Sequence, residues 1–277
     1  MPAPIPMLTL TGLTLALIIG LILQPWWVER RRARLRDAPF PVAWSHILRQ
    51  RLPQLRRLPR ALQRELNRQI MVFVAEKDFI GCGGFVIDDE VRVTIAAQAC
   101  LLTVNQPRRD YFPALQSVLV YPGPFFVDRC IPDVDGIVAE QRVVMIGESW
   151  AQGRVVLSWP DVVAGAAIDE VGRNVVIHEF AHQLDQATGS ANGAPLLPSR
   201  RRYATWSNVL GAAFTRLRED LALGRPNLID AYAATNPAEF FAVVSEVFFE
   251  LPDRLASAEP ALYAELRHFY NLDPALW

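Results

Sequence analysis

The hydropathy of the chain changes abruptly at residue 29. From Met7 to Leu23 the sequence MLTLTGLTLALIIGLIL carries no charge, and the uncharged run continues through Trp26, Trp27 and Val28. A helix over 7–28 at ~1.5 Å per residue spans the roughly 30 Å hydrocarbon layer of a bilayer, so residues 1–28 are expected to form a transmembrane anchor. The exit QPWWVE lacks the small-residue cleavage site of a signal peptide. Beyond residue 60 the apolar positions follow shorter periods. Leu62 to Glu76 has helical spacing. FIGCGGFVIDDEVRVTIAAQACLLTV reads as a glycine turn, a short strand and a buried helix near 91–104. SVLVYPGPFFV (117–127) and RVVLSW (154–159) have strand composition. Helices are then expected at about 165–187, 204–223, 237–250 and 260–270, with a Gly/Pro/Ser loop over 189–198. Strands early and helices late predict an α+β fold, with domains of 1–28 (anchor), 29–60 (basic juxtamembrane segment) and 61–277 (body).

Charge sharpens this division. The formal net charge is −1, yet residues 29–68 hold twelve arginines against Glu29, Asp37 and Glu65, a net +9. Basic residues directly after an apolar helix predict an N-terminus outside and a body in the cytoplasm, with the arginines near anionic headgroups. Without a helix that reads DNA, the same charges do not indicate a nucleic-acid partner. Cys82, Cys100 and Cys130 are odd in number and form no CxxC pair, so neither a disulfide framework nor a zinc finger is indicated, and reduced thiols fit.

The chemistry concentrates in VVIHEFAHQLDQATG, residues 175–189. Four residues apart on a helix, His178 and His182 project from one face at the separation two nitrogens need to grip one ion. Glu179 sits about 100° round, adjacent to the ligand line, where it can take a proton from a metal-bound water. A catalytic zinc wants a third protein ligand. The positions that would complete HExxHxxGxxH are Asp185 and Thr188, so that ligand comes from elsewhere: His46, His268 or an acidic residue of a later helix. In NPAEFFAVVSEVFFE, residues 236–250, Glu239, Glu246 and Glu250 fall within about 40° of one another. Spacing alone leaves two readings of that stripe, a solvated edge or a line of carboxylates facing an ion, and Glu239 is equally placed to close a capping box with Asn236.

HEFAHQLD and IDAYAATNPAEFFAVVSEVFF, preceded by VTIAAQACLL, LVYPGPFFV and ESWAQGRVVLSW, resemble the Mlc titration factor A family of bacterial zinc peptidases, from about Pro41 to Pro274. The resemblance implies a zincin-like peptidase domain of gluzincin type, with one Zn2+ per chain on His178, His182 and Glu239. It implies Glu179 as general base and Tyr232 as the group that steadies the oxyanion. Asp185 and Glu246 are candidate acceptors for the remaining imidazole N–H groups, and the strand RVVLSW is a candidate edge for an extended peptide. The implied partners are a peptide or protein substrate and a transcriptional repressor of the Mlc type. With the anchor, the expected location is the bacterial inner membrane. A binding protein that sequesters a regulator, with zinc secondary, is the alternative.

Overall fold

A computed structural model describes residues 5–106, 111–132, 138–145, 147–150, 153–167 and 172–277. The first four residues of the expected anchor and the 168–171 part of the expected 165–187 helix lie outside them. The first helix, α1 (Ile5–Asp37), runs from the apolar stretch straight into the arginines. Among its described side chains, Leu17, Ile22 and Trp27 are all more than half exposed. Among the described residues it is the one helix long and apolar enough to cross a membrane.

The arginines that follow divide. Arg32 makes a two-pronged bond to Glu76 at 2.7 and 2.8 Å and lies over the Tyr111 ring, and Arg36 donates to Glu29 and Tyr111. These side chains turn toward the body. Arg49, Arg56, Arg57 and Arg60 stay exposed. α2 (Val42–Arg51) and a short 3-10 turn follow, and Leu52, Leu55 and Leu58 are buried in the same core as α3 (Arg60–Glu76) and α4 (Asp89–Leu101). α4 starts two residues before the expected 91 because the Asp88 carboxylate caps it, accepting from Val91 N at 2.9 Å.

The main sheet has the order β1 (Asp78–Gly81), β2 (Ser117–Tyr121), β6 (Arg154–Ser158), β5 (Gly147–Trp150). The first three are parallel and β5 is antiparallel to β6, with Val118 beside Val155 and Val120 beside Leu157. β3 (Phe125–Pro132) and β4 (Val138–Met145) form a separate antiparallel hairpin. Two expectations are corrected here. The strand near residue 80 precedes its glycine turn, because Gly83 and Gly84 take positive φ only after β1 has ended. RVVLSW is not a sheet edge: β6 is hydrogen-bonded on both sides, so its main chain has no free row for a peptide, and the outer strand is β5.

The helix expected over 165–187 is two helices, α5 (Trp159–Ala166) and α6 (Val175–Asp185). The break has a local cause. Gly172 has φ +69 and its missing Cβ would lie 2.7 Å from Leu251, and Asn174 is extended before it caps α6. Val176, Ile177, Phe180 and Ala181 bury α6 in the core. α7 (Arg200–Ala222), α8 (Pro237–Glu250), α9 (Pro252–Ala258) and α10 (Pro260–Tyr270) complete the fold. Asn236, Pro237 and Pro260 place the starts of α8 and α10 where the sequence expects them.

Candidate metal centre

α6 presents its two histidines because the 3.6-residue period puts positions 178 and 182 on one face, while Ile177, Phe180 and Ala181 occupy the face turned to the core. His182 Nε2 is 3.2 Å from His178 Nε2. α8 closes the triangle: Glu239 Oε2 lies 3.1 Å from His178 Nε2 and 3.3 Å from His182 Nε2. Donor atoms at tetrahedral positions round an ion at ~2.0–2.1 Å stand about 3.3–3.4 Å apart, so the three spacings suit one small divalent cation. Among the described residues, these three form the one group able to share a metal ion. His46 and His268, the other imidazoles considered for the third position, are exposed on α2 and α10.

The carboxylate stripe of α8 faces α6 along its length. Glu239 is no capping-box acid in this fold. The Asn236 side chain accepts from Ala238 N and Glu239 N, leaving the Glu239 carboxylate to the histidines. Glu246 Oε1 accepts from His178 Nδ1–H at 2.7 Å. A carboxylate can only accept there, so one hydrogen is on Nδ1, and with a cation bound the neutral ring would turn the Nε2 lone pair to the point shared with Glu239 and His182. Three electron-rich atoms then converge on one point, an arrangement that calls for a cation.

In the metal-free chain a proton takes the place a cation would fill: His178 then donates from Nε2 to Glu239 as well as from Nδ1 to Glu246. Burial opposes a proton on His178, but hydrogen bonds to Glu239 and Glu246 outweigh it and hold the pKa well above 6.5. For Glu239 burial acts upward, and its bonds to His178 and His182 win, keeping it below the usual carboxylate range. Glu179 is 5% exposed, and burial pushes it up to about 7 against the pull of His178 and His182. It is the neighbouring group whose pKa lies where a proton acceptor is useful.

Tyr232 stands at the open side. Its ring centre is 6.1 Å from that of His178, and the residue is 51% exposed. A 3-10 turn, Ala231–Ala234, carries it, held by Asp230 Oδ1 accepting from Tyr232 N at 2.9 Å. Asp230 also pairs with Arg173 at 2.5 Å, which ties that turn to the residue before Asn174. Asp185 faces the following loop: its two oxygens accept from Gly193 N at 2.7 Å and Ala194 N at 2.9 Å. The sequence reading overlooked two contributors, Asp230 and Asn174. An Asn directly before the apolar run VVIHEF is itself a helix-start signal and would have pointed to the second.

The model of the glucose-regulated metallo-peptidase M90 family matches residues 26–271. The chain belongs to the M90 family. An uncharacterized protein of Synechocystis is 40% identical over 272 residues, which cover 96% of this chain and 98% of that protein. Mlc titration factor A of Cronobacter sakazakii is 37% identical over 259 residues (92% and 94%), and that of Klebsiella pneumoniae subsp. pneumoniae 39% over 253 (90% and 91%). The M90 match takes in all three donors, Glu179 and Tyr232, and it begins at Trp26, near the end of the uncharged run of α1. A metallopeptidase family and a His-His-Glu donor set agree on a metal ion, for which these nitrogen and oxygen donors favour zinc.

Proposed function

We propose that this protein is a zinc-dependent peptidase held at a membrane by α1. His178, His182 and Glu239 hold the ion, and the observation that carries the reading is their closed triangle of 3.1, 3.2 and 3.3 Å. Zinc in such a site supplies an acidified water and polarises a carbonyl. The protein's own residues manage the protons and the charge. Glu179, buried beside the donors, accepts a proton from the attacking water and delivers it to the departing amine. The exposed Tyr232 hydroxyl donates toward the oxygen on which negative charge builds. Glu246 keeps His178 in the tautomer that offers Nε2. Asp185 fastens the 193–194 loop behind the helix.

The test compares zinc content and hydrolysis of a peptide panel for the wild type and Glu179→Gln. Zinc bound to both with turnover only in the wild type supports the reading; a wild type that binds no zinc removes it. A second reading comes from the printed name of the relatives, Mlc titration factor A. A regulator of the Mlc type would be captured by the folded surface, and Glu179→Gln would retain that capture. For the anchor, support comes from the exposed apolar face of α1, Trp26 and Trp27 at its end, and the arginines after them. An N-terminus outside and a cytoplasmic body in the bacterial inner membrane predict that a cysteine placed at position 3 is labelled from outside intact spheroplasts, whereas one placed at position 224 is not.

A further inference from the structure

The two helices that carry the donors meet a second time, away from the donors, at Asn174. This residue is 1% exposed, and each of its polar groups is engaged. Its Oδ1 caps α6 by accepting from Ile177 N at 3.0 Å, and its carbonyl accepts from His178 N at 2.9 Å. Its backbone N–H donates to Glu246 Oε2 at 2.5 Å. Its amide nitrogen reaches three acceptors: Gln98 Oε1 at 2.8 Å on α4, Gly165 O at 2.9 Å on α5, and Glu250 Oε1 at 2.9 Å on α8. Four helices are therefore joined through one side chain. The packing round it is close, since a Cβ on Gly165 would stand 3.0 Å from Asn174 Cα.

The pairing along α8 has an order. Glu239 meets His178 and His182, Glu246 meets His178 and Asn174, and Glu250 meets Asn174. The two helices thus run antiparallel, with one carboxylate stripe against one face. The hydrophobic effect is non-directional; interdigitated side chains oppose a slide of one helix along another but do not aim a donor atom. A slide of one residue is ~1.5 Å, and a metal–ligand distance tolerates only ~0.2 Å, so something directional must fix the register. Two carboxylates one turn apart, both gripped by a single buried residue, supply that. A neutral amide suits the place, because a third carboxylate there would face Glu246 and Glu250.

We propose that Asn174 is a positioning residue for the metal centre: it sets the register of α8 on α6 and so the distance of Glu239 from the two histidines. This rests on the reading of the donor set as a zinc site. Asn174→Ser tests it in the full chain, because a serine keeps a capping oxygen while losing the amide donors. Zinc affinity, measured by competition with a chromophoric chelator, is expected to fall by more than about twofold and by up to the ~10–100-fold that follows loss of a ligand's own outer partner. The visible spectrum of the Co2+-substituted variant is expected to differ from that of the wild type. Tyr270→Phe is the control. It removes a buried bond to Ser245 Oγ on the same helix α8, 2.7 Å long, and should lower Tm while leaving zinc affinity and the cobalt spectrum alone. If Asn174→Ser does not fold, Glu250→Leu, which removes one acceptor of the amide, carries the test with the same direction of change. Zinc affinity within about twofold of wild type and an unchanged cobalt spectrum overturn the proposal. A wild type that binds neither metal overturns the zinc reading instead, and the two failures are distinguishable.

Discussion

Glu239 Oε2 lies 3.1 Å from His178 Nε2, although 61 positions separate the two residues in the chain. The contact joins α8 to α6, and its carboxylate balances two imidazoles. Glu239→Ala should therefore lower zinc affinity by more than the ~10–100-fold expected for loss of an outer partner. Metal analysis after dialysis against a weak chelator checks this, and full zinc content in the variant would refute it.

Glu179 is adjacent to His178 in sequence but is not a member of the donor triangle. Glu179→Gln should leave zinc content unchanged and reduce peptide turnover ~10²–10⁴-fold, the usual contribution of general acid–base catalysis. Parallel metal analysis and single-turnover kinetics separate the two effects.

In the metal-free chain the folded pKa of Glu179 is about 7 against 4.5 for the free group, so folding favours the protonated form. Its contribution to stability is fully present below 4.5 and is lost as pH rises toward 7. The Tm of metal-free Glu179→Gln should fall less steeply than wild type across that window. In the loaded enzyme the acceptor must be ionised, and a nearby cation lowers its pKa. Turnover should then decline as pH falls, with a midpoint below that of the metal-free group.

Gly193 ties the loop after α6 to the start of α8. Its φ is +77, its N–H donates to Asp185, and its carbonyl accepts from Trp206 Nε1 at 2.8 Å. A Cβ there would stand 2.3 Å from Pro237 O, in the first turn of the helix that carries Glu239. Gly193→Ala should cost about 1–3 kcal/mol through backbone strain and that clash. Denaturant unfolding measures it, and a midpoint and slope equal to wild type would count against this account of the loop.

Much of the candidate site was legible without coordinates where a single helix carries it. The 178/182 spacing, the flanking Glu179 and the start of α8 at Asn236 and Pro237 follow from 3.6 residues per turn and from capping, and the structure keeps all of them. The role of α8 was not legible in the same way. On its own helix Glu239 is as good a capping acid as a ligand, and the stripe of Glu239, Glu246 and Glu250 is as good a solvated edge as a buried one.

The chain alone determined the local facts: an apolar first helix, a histidine pair on one face, and the starts of α8 at Asn236 and Pro237 and of α10 at Pro260. Backbone geometry fixes these within a few residues. Tertiary structure decided which carboxylate closes the triangle, that β6 lies inside its sheet, that Arg32 and Arg36 turn to Glu76 and Tyr111, and that Asn174 joins four helices. Most of those side-chain contacts bring together residues 44 to 76 positions apart, and their partners are chosen by how whole elements pack, which no periodicity within one element encodes.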